Sequence, residues 1–297
     1  MTPHITNVVD EISLVGPISA AMLRNLPRAT AIGMLSLTQK KAKPYKMRSL
    51  AEKQAQYRPS YFTAAIARGL VGIHSLDRLW LWHHATPAAL RYVFAIPKLR
   101  VLDLMGIAYP GRLAGFAAAV IEEFRCNSGL RASDLLEITT STSLKELSAH
   151  SADLSMRAMT ALMAMPRLQS LDIEGTGFDD EMAALLVGNV SLHSLEVGRT
   201  KLSRKGLAHL CTMKNLRSLD LWSTRITEDD LELLAGLPLE YLSIGRIDDE
   251  QFAPFSTVTV MKKLEALPAL KRIWLDGLEL SAEHLAEFKR RKITVRL

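Results

Sequence analysis

Apolar and polar positions alternate in a six-residue frame that recurs along the chain. The frame is apolar-x-x-apolar-x-apolar. It reads LRVLDL from 99, LQSLDI from 168, LHSLEV from 192, LRSLDL from 216, LEYLSI from 239 and LKRIWL from 270. LDRLWL from 76 fits it too, and LKELSA from 144 fits with alanine in the last place. VDEISL from 9 and IGMLSL from 32 are fainter copies, and ITVRL near the end reads as a last strand. Starts fall every 24 residues from 144 to 216 and mostly every 23 elsewhere, with gaps of 44 or 45 where a copy has degenerated and of 31 between 239 and 270. Alternation with a period of two predicts a short strand with its leucines on one side.

The second half of each unit is equally regular. Eight residues after the first leucine stand Thr176, Thr200 and Thr224, and two further on Phe178, Leu202 and Ile226. The next position holds Ser155, Asp179, Ser203, Thr227 and Ser281, residue types whose side-chain oxygens cap the free N–H groups at a helix start. Asp230, three residues after Thr227, comes close to a capping box. Apolar residues then recur at helical spacing, as in Leu207, Leu210 and Met213, or Leu231, Leu234 and Leu237. Thr86 before Pro87 marks another helix start. Each unit is a strand, a turn and a helix, and one unit cannot bury its apolar face alone, so stacked units share a core.

These frames resemble the leucine-rich-repeat family in its longer strand-helix form, similar to its ribonuclease-inhibitor-like and bacterial members. The resemblance covers about residues 9 to 297 and is most specific from 144 to 238. It implies an α/β fold: one curved solenoid over 1–297, with a parallel sheet on the concave face and helices on the convex face. Threonine stands where many members carry asparagine. Residues 38–75, 122–143 and 245–269 break the pattern and are expected to hold insertions or extra helices.

In such a strand the residues between and beside the leucines point away from the core. Ten readable units give thirty such positions, about a tenth of the chain, and all four tryptophans fall on them: Trp80, Trp82, Trp222 and Trp274. Tyr241 and Met105 join them. The charges there are biased: Glu11, Asp103, Glu146, Asp172, Glu174, Glu196, Asp220 and Asp276 against Arg78 and Arg272. Eight acids less two bases leave −6 on a chain whose net charge is +6, so the rest carries +12. Asp172, Glu196 and Asp220 share one slot in successive units and should form a ladder with rungs ~4.8 Å apart. Like charges side by side on a sheet cost up to roughly 1 kcal/mol each. Aromatic anchors beside polar groups are what interfaces use. The expected partner-binding residues are therefore Trp80, Trp82, Asp103, Asp172, Glu174, Glu196, Asp220, Trp222, Tyr241 and Trp274.

Chemistry of other kinds finds little support. His83 and His84 are adjacent, so on a strand they point to opposite faces, and no third ligand stands at metal spacing. Cys126 and Cys211 are far apart and make no disulfide framework. Cys211 lies in the stretch GLAHLCTMKN, which reads as buried and makes it a core thiol, and no Cys/His signature surrounds Cys126. Gly-rich phosphate loops are missing. No cofactor or metal and no enzymatic activity is expected, with a cryptic catalytic site as the third reading. The start of the chain lacks a basic segment before an apolar run, and no apolar stretch reaches 18 residues, so neither a signal peptide nor a membrane span is expected. Basic residues gather at Lys40, Lys41, Lys43, Lys46 and Arg48 and at Lys289, Arg290, Arg291, Lys292 and Arg296, apart from the aromatic face, which argues against nucleic acid. The expected partner is a protein with a basic surface, met in the cytoplasm. The ribonuclease-inhibitor branch implies an intracellular inhibitor or immunity-type protein. The alternative is a bacterial effector, secreted without a cleaved signal, or a ubiquitin-ligase adaptor that recognises a host protein.

Overall fold

A computed structural model of the chain describes residues 8–15, 23, 31–38, 61–81, 84–104, 113–127, 129–245 and 255–296. Trp82, His83, Met105 and the group from Lys40 to Arg48 lie outside them, and Glu11 is described only as part of a strand. The chain forms two compact units, Met1–Leu144 and Lys145–Leu297.

In the first unit β1 (Val8–Val15), β2 (Ala31–Thr38), β4 (Arg78–Leu81), β6 (Val101–Asp103) and β7 (Glu123–Arg125) pair in that order, all parallel. β3 (Tyr61–Phe62) and β5 (His84–Ala85) make a separate parallel pair. In the second unit β8 (Glu146–Ser148), β9 (Ser170–Asp172), β10 (Ser194–Glu196), β11 (Ser218–Asp220), β12 (Tyr241–Gly245), β13 (Arg272–Asp276) and β14 (Thr294–Arg296) pair in sequence order, again all parallel. Parallel neighbours need a crossover. Here it is a helix, as at Met156–Met163, Asp180–Ala184, Arg204–Leu210 and Thr257–Leu264, or the 3-10 turn Asp229–Leu234.

The register stacks Leu147, Leu171, Leu195, Leu219, Leu242 and Ile273 directly on one another. All six are buried, and each contributes roughly 1.5–3 kcal/mol relative to exposure. A repeat that the leucine pattern did not reveal sits in the first unit. Ile121, Phe124 and Cys126 fill its three apolar places and are fully buried. Residues 122–143, expected as an interruption, thus supply β7 and the helix Ala132–Ile138, and the Cys126 thiol takes a leucine's place in the core. Phe124 meets Phe116, which in turn packs edge-on against Phe94.

After each strand of the regular stretch one residue turns left-handed. Ser151, Gly175, Arg199 and Ser223 occupy that slot, with φ of 53°, 69°, 54° and 53°. The threonine after it in three of these repeats is buried, and its hydroxyl donates to the carbonyl three residues back: Thr176 to Ile173 at 2.7 Å, Thr200 to Val197 at 2.6 Å and Thr224 to Leu221 at 2.7 Å. Ser155, Asp179, Ser203, Ser281 and Thr86 accept helix N–H groups as expected. Thr227 does not. Its element starts as a 3-10 turn after Glu228, and Thr227 instead donates N–H and O–H to the Asp230 carboxylate, both at 2.8 Å. Asp180 ties successive helices together by accepting from the Ser203 and Gly206 amides and the Ser203 hydroxyl. Burial disfavours its charge, but those bonds outweigh burial and hold the carboxyl below the usual range.

Candidate functional site

The outward positions of β8 to β14 form one face of the second unit. Asp172, Glu196 and Asp220 are in direct register on β9, β10 and β11. Ser148 precedes them in the same column, and Ser243 and Trp274 follow. These carboxylates do not stand in open water. Asp172 is 9% exposed, and Glu196 and Asp220 are half-buried, because each lies between the side chains of its neighbouring strands. Asp103 in the first unit, opposite Trp80 in register, is as buried as Asp172.

The electrostatics reflect that crowding. Burial, then the charges of Asp172 and Asp220, push the Glu196 carboxyl up to about 7. Burial, opposed by the Trp222 amide and aided by Glu174 and Asp172, pushes Asp220 up to about 6. Among the described residues one histidine answers them. His150 is hydrogen-bonded through Nε2 to Asp172 and lies 3.8 Å from Glu174 through Nδ1. The Asp172 bond and the surrounding carboxylates raise its pKa despite partial burial. Ser148 donates to Asp172 at 2.8 Å. No Lys or Arg lies within ion-pair distance of Asp172, Glu174, Glu196 or Asp220 among the described residues.

Trp222 is half-buried rather than free. Its indole N–H donates to Asp276 at 2.7 Å, and Arg199 lies over the ring at 5.9 Å. Gly245 makes this reach possible. It stands beside Asp276 on the strand between, at φ +140°, where a Cβ would collide with the Asp276 backbone. Trp222 therefore bridges strands as well as covering the sheet.

The far end of the face has a different character. Arg272 lies over the Tyr241 ring at 5.3 Å and Arg296 over the Trp274 ring at 4.6 Å. Neither arginine makes an ion pair among the described residues. Arg296, part of the terminal basic cluster in sequence, thus belongs to the aromatic face, and the expected separation of basic from aromatic residues does not hold here. Beside the carboxylates, on the same three strands, Ser170, Ser194 and Ser218 stand in register as a floor of small side chains that Tyr241 and Arg272 continue. They open a groove of about 740 Å³ that also takes in Glu196, Trp274 and Arg296.

The structure brings Asp172, Glu174, Glu196, Asp220, Trp222, Tyr241 and Trp274 together on this face of the second unit. Trp80 and Asp103 lie in the first. Three contributors escaped the sequence reading: His150, the serine floor and Arg296. His150 occupies the slot of Glu174 one period earlier and of Trp222 three periods earlier, so the 24-residue spacing alone could have found it. Among the described residues no cluster of His, Cys, Asp and Glu is arranged to hold a metal, and no helix is long and apolar enough to cross a membrane.

No family model and no curated protein matches the chain. Among solved structures, an internalin from Listeria monocytogenes superposes with a TM-score of 0.52 at 14% identity, covering 97% of this chain and 86% of that one. The fold is the leucine-rich-repeat solenoid. A Bacteroides fragilis protein gives a TM-score of 0.51 at 15% identity over 82% of this chain and 75% of its own. A TLR13 chain, solved in complex with a single-stranded RNA, gives 0.51 at 15% over 98% of this chain and 43% of its own. Within this leucine-rich-repeat frame the site is an open, charged face of the sheet, with two ends of opposite sign.

Proposed function

We propose that the open face of the second unit binds another protein and takes a basic side chain of that partner over Asp172, Glu196 and Asp220. The observation that supports this is the in-register carboxylate column, answered among the described residues by one histidine. Such a column costs folding energy, and a partner's Lys or Arg would neutralise it in a partly dehydrated setting, where opposite charges attract more strongly than in water. Half-buried Trp274 and Tyr241 beside the column supply the aromatic area that interface anchors use. A role as an intracellular inhibitor of a basic protein fits this face. RNA, which accompanies the TLR13 structure, fits it poorly, because the carboxylate column would repel its phosphates.

The test is affinity capture from the source organism with the wild-type protein and with the triple variant Asp172→Asn, Glu196→Gln, Asp220→Asn, read by mass spectrometry. A protein held by wild type, lost by the variant and released by moderate salt is the expected result. Equal capture by both proteins overturns the reading.

A further inference from the structure

We propose that one extended segment of the partner spans the groove, placing a basic side chain over Glu196 and an acidic side chain against Arg272 and Arg296. This deepens the basic-partner reading and rests on it.

The geometry behind it is the order of the strands. Glu196 ends β10, Arg272 begins β13 and Arg296 ends β14. Three to four strand spacings of ~4.8 Å separate the two signs by about 14–19 Å. An extended chain covers ~3.3–3.6 Å per residue and alternates its side chains between two faces, so a cation and an anion about four residues apart on one segment face the groove together and reach both signs.

The floor suits a backbone. Ser218, between Glu196 and the arginines, and Ser194 and Ser170 beyond it are small outward side chains, in register and half-buried. Their hydroxyls offer donors and acceptors to a polypeptide laid across the strands. The arginine end is prepared for a carboxylate. Each guanidinium rests on an aromatic ring and makes no ion pair among the described residues. Stacking limits the freedom that would otherwise be lost on binding. A purely basic segment would gain at the Glu196 end and be repelled at the other. A polyanion would suffer the reverse.

The test uses fluorescence anisotropy of the full chain with labelled decapeptides in a Gly-Ser background. One carries Arg and Glu four residues apart, one carries them adjacent, and one carries Arg alone. An oligothymidine decamer serves as the polyanion probe. The spaced peptide should bind about tenfold tighter than either other peptide, a difference of about 1.4 kcal/mol. The double variant Arg272→Gln, Arg296→Gln should erase that advantage while leaving binding of the Arg-only peptide unchanged or improved. Both arginines are exposed, so the variant should keep its thermal unfolding midpoint, checked in parallel. Equal binding of the Arg-only and spaced peptides overturns this inference and leaves the basic-partner reading standing. Binding of the oligothymidine that depends on the two arginines overturns it in favour of a polyanion. Loss of all peptide binding overturns both.

Discussion

The strands from Ser170 to Asp220 carry two columns side by side in sequence and opposite in physics. Leu171, Leu195 and Leu219 face the helices, fully buried, and each rung supports the next. Asp172, Glu196 and Asp220 face the other way in the same register, and each rung repels the next. The first column is what folding asks of a repeat. The second opposes folding, and burial, aided by the neighbouring charges, makes the carboxyls of Glu196 and Asp220 hold their protons to unusually high pH. One backbone thus separates stability from recognition by the side a residue faces.

The comparison breaks first at the leucines. Leu195→Ala should cost about 2–5 kcal/mol in urea unfolding, since it opens a cavity between two full layers. A loss no larger than that of an outward substitution would mean the two faces are misassigned. Gly245→Ala tests whether the open face also holds structure. Its Cβ collides with the Asp276 backbone at a left-handed φ, so about 1–3 kcal/mol should be lost. Trp222 fluorescence should change as the indole leaves Asp276.

Glu196→Gln should move stability the other way. The folded-state pKa of Glu196 lies at about 7, above the ordinary value of 4.5. The native state therefore binds more protons than the unfolded one between those values, and stability falls as pH rises through that window. Asp220 acts in the same sense up to about 6. Removing the Glu196 charge should add about 1 kcal/mol at pH 8, roughly 2–4 °C in melting temperature, and flatten the decline between pH 5 and 8. A variant that melts lower than wild type at pH 8 would show that the column stabilises the fold. The smallest effects belong to the caps. Ser203→Ala should cost about 1 kcal/mol. Thr227→Ala should cost about half of that or less, because the Thr227 amide keeps its bond to Asp230.

The strand order and the ladder register were legible because a 24-residue period leaves no freedom to a stack of parallel strands. What the period could not carry was anything set by neighbours outside it. Burial of Asp172 depends on Ser148 and His150 one strand away, so a position that points away from the core was read as wet. Trp222 reached Asp276 across a glycine that no frame marks out. The repeat at Ile121 stayed hidden because Phe124 and Cys126 stand where the pattern expects leucine, although their burial is the same. Thr227 has the right identity for a cap, yet the following turn starts in 3-10 geometry and presents Asp230 as the acceptor instead.

The buried threonines carry one more consequence. Each of Thr176, Thr200 and Thr224 satisfies its hydroxyl within its own repeat. None of these bonds reaches the repeat before or after. A 24-residue cassette can be duplicated or deleted in frame without stranding a hydroxyl of this column at the new junction. As far as this column is concerned, repeat copy number, and with it the number of rungs in the charge ladder, can change one cassette at a time.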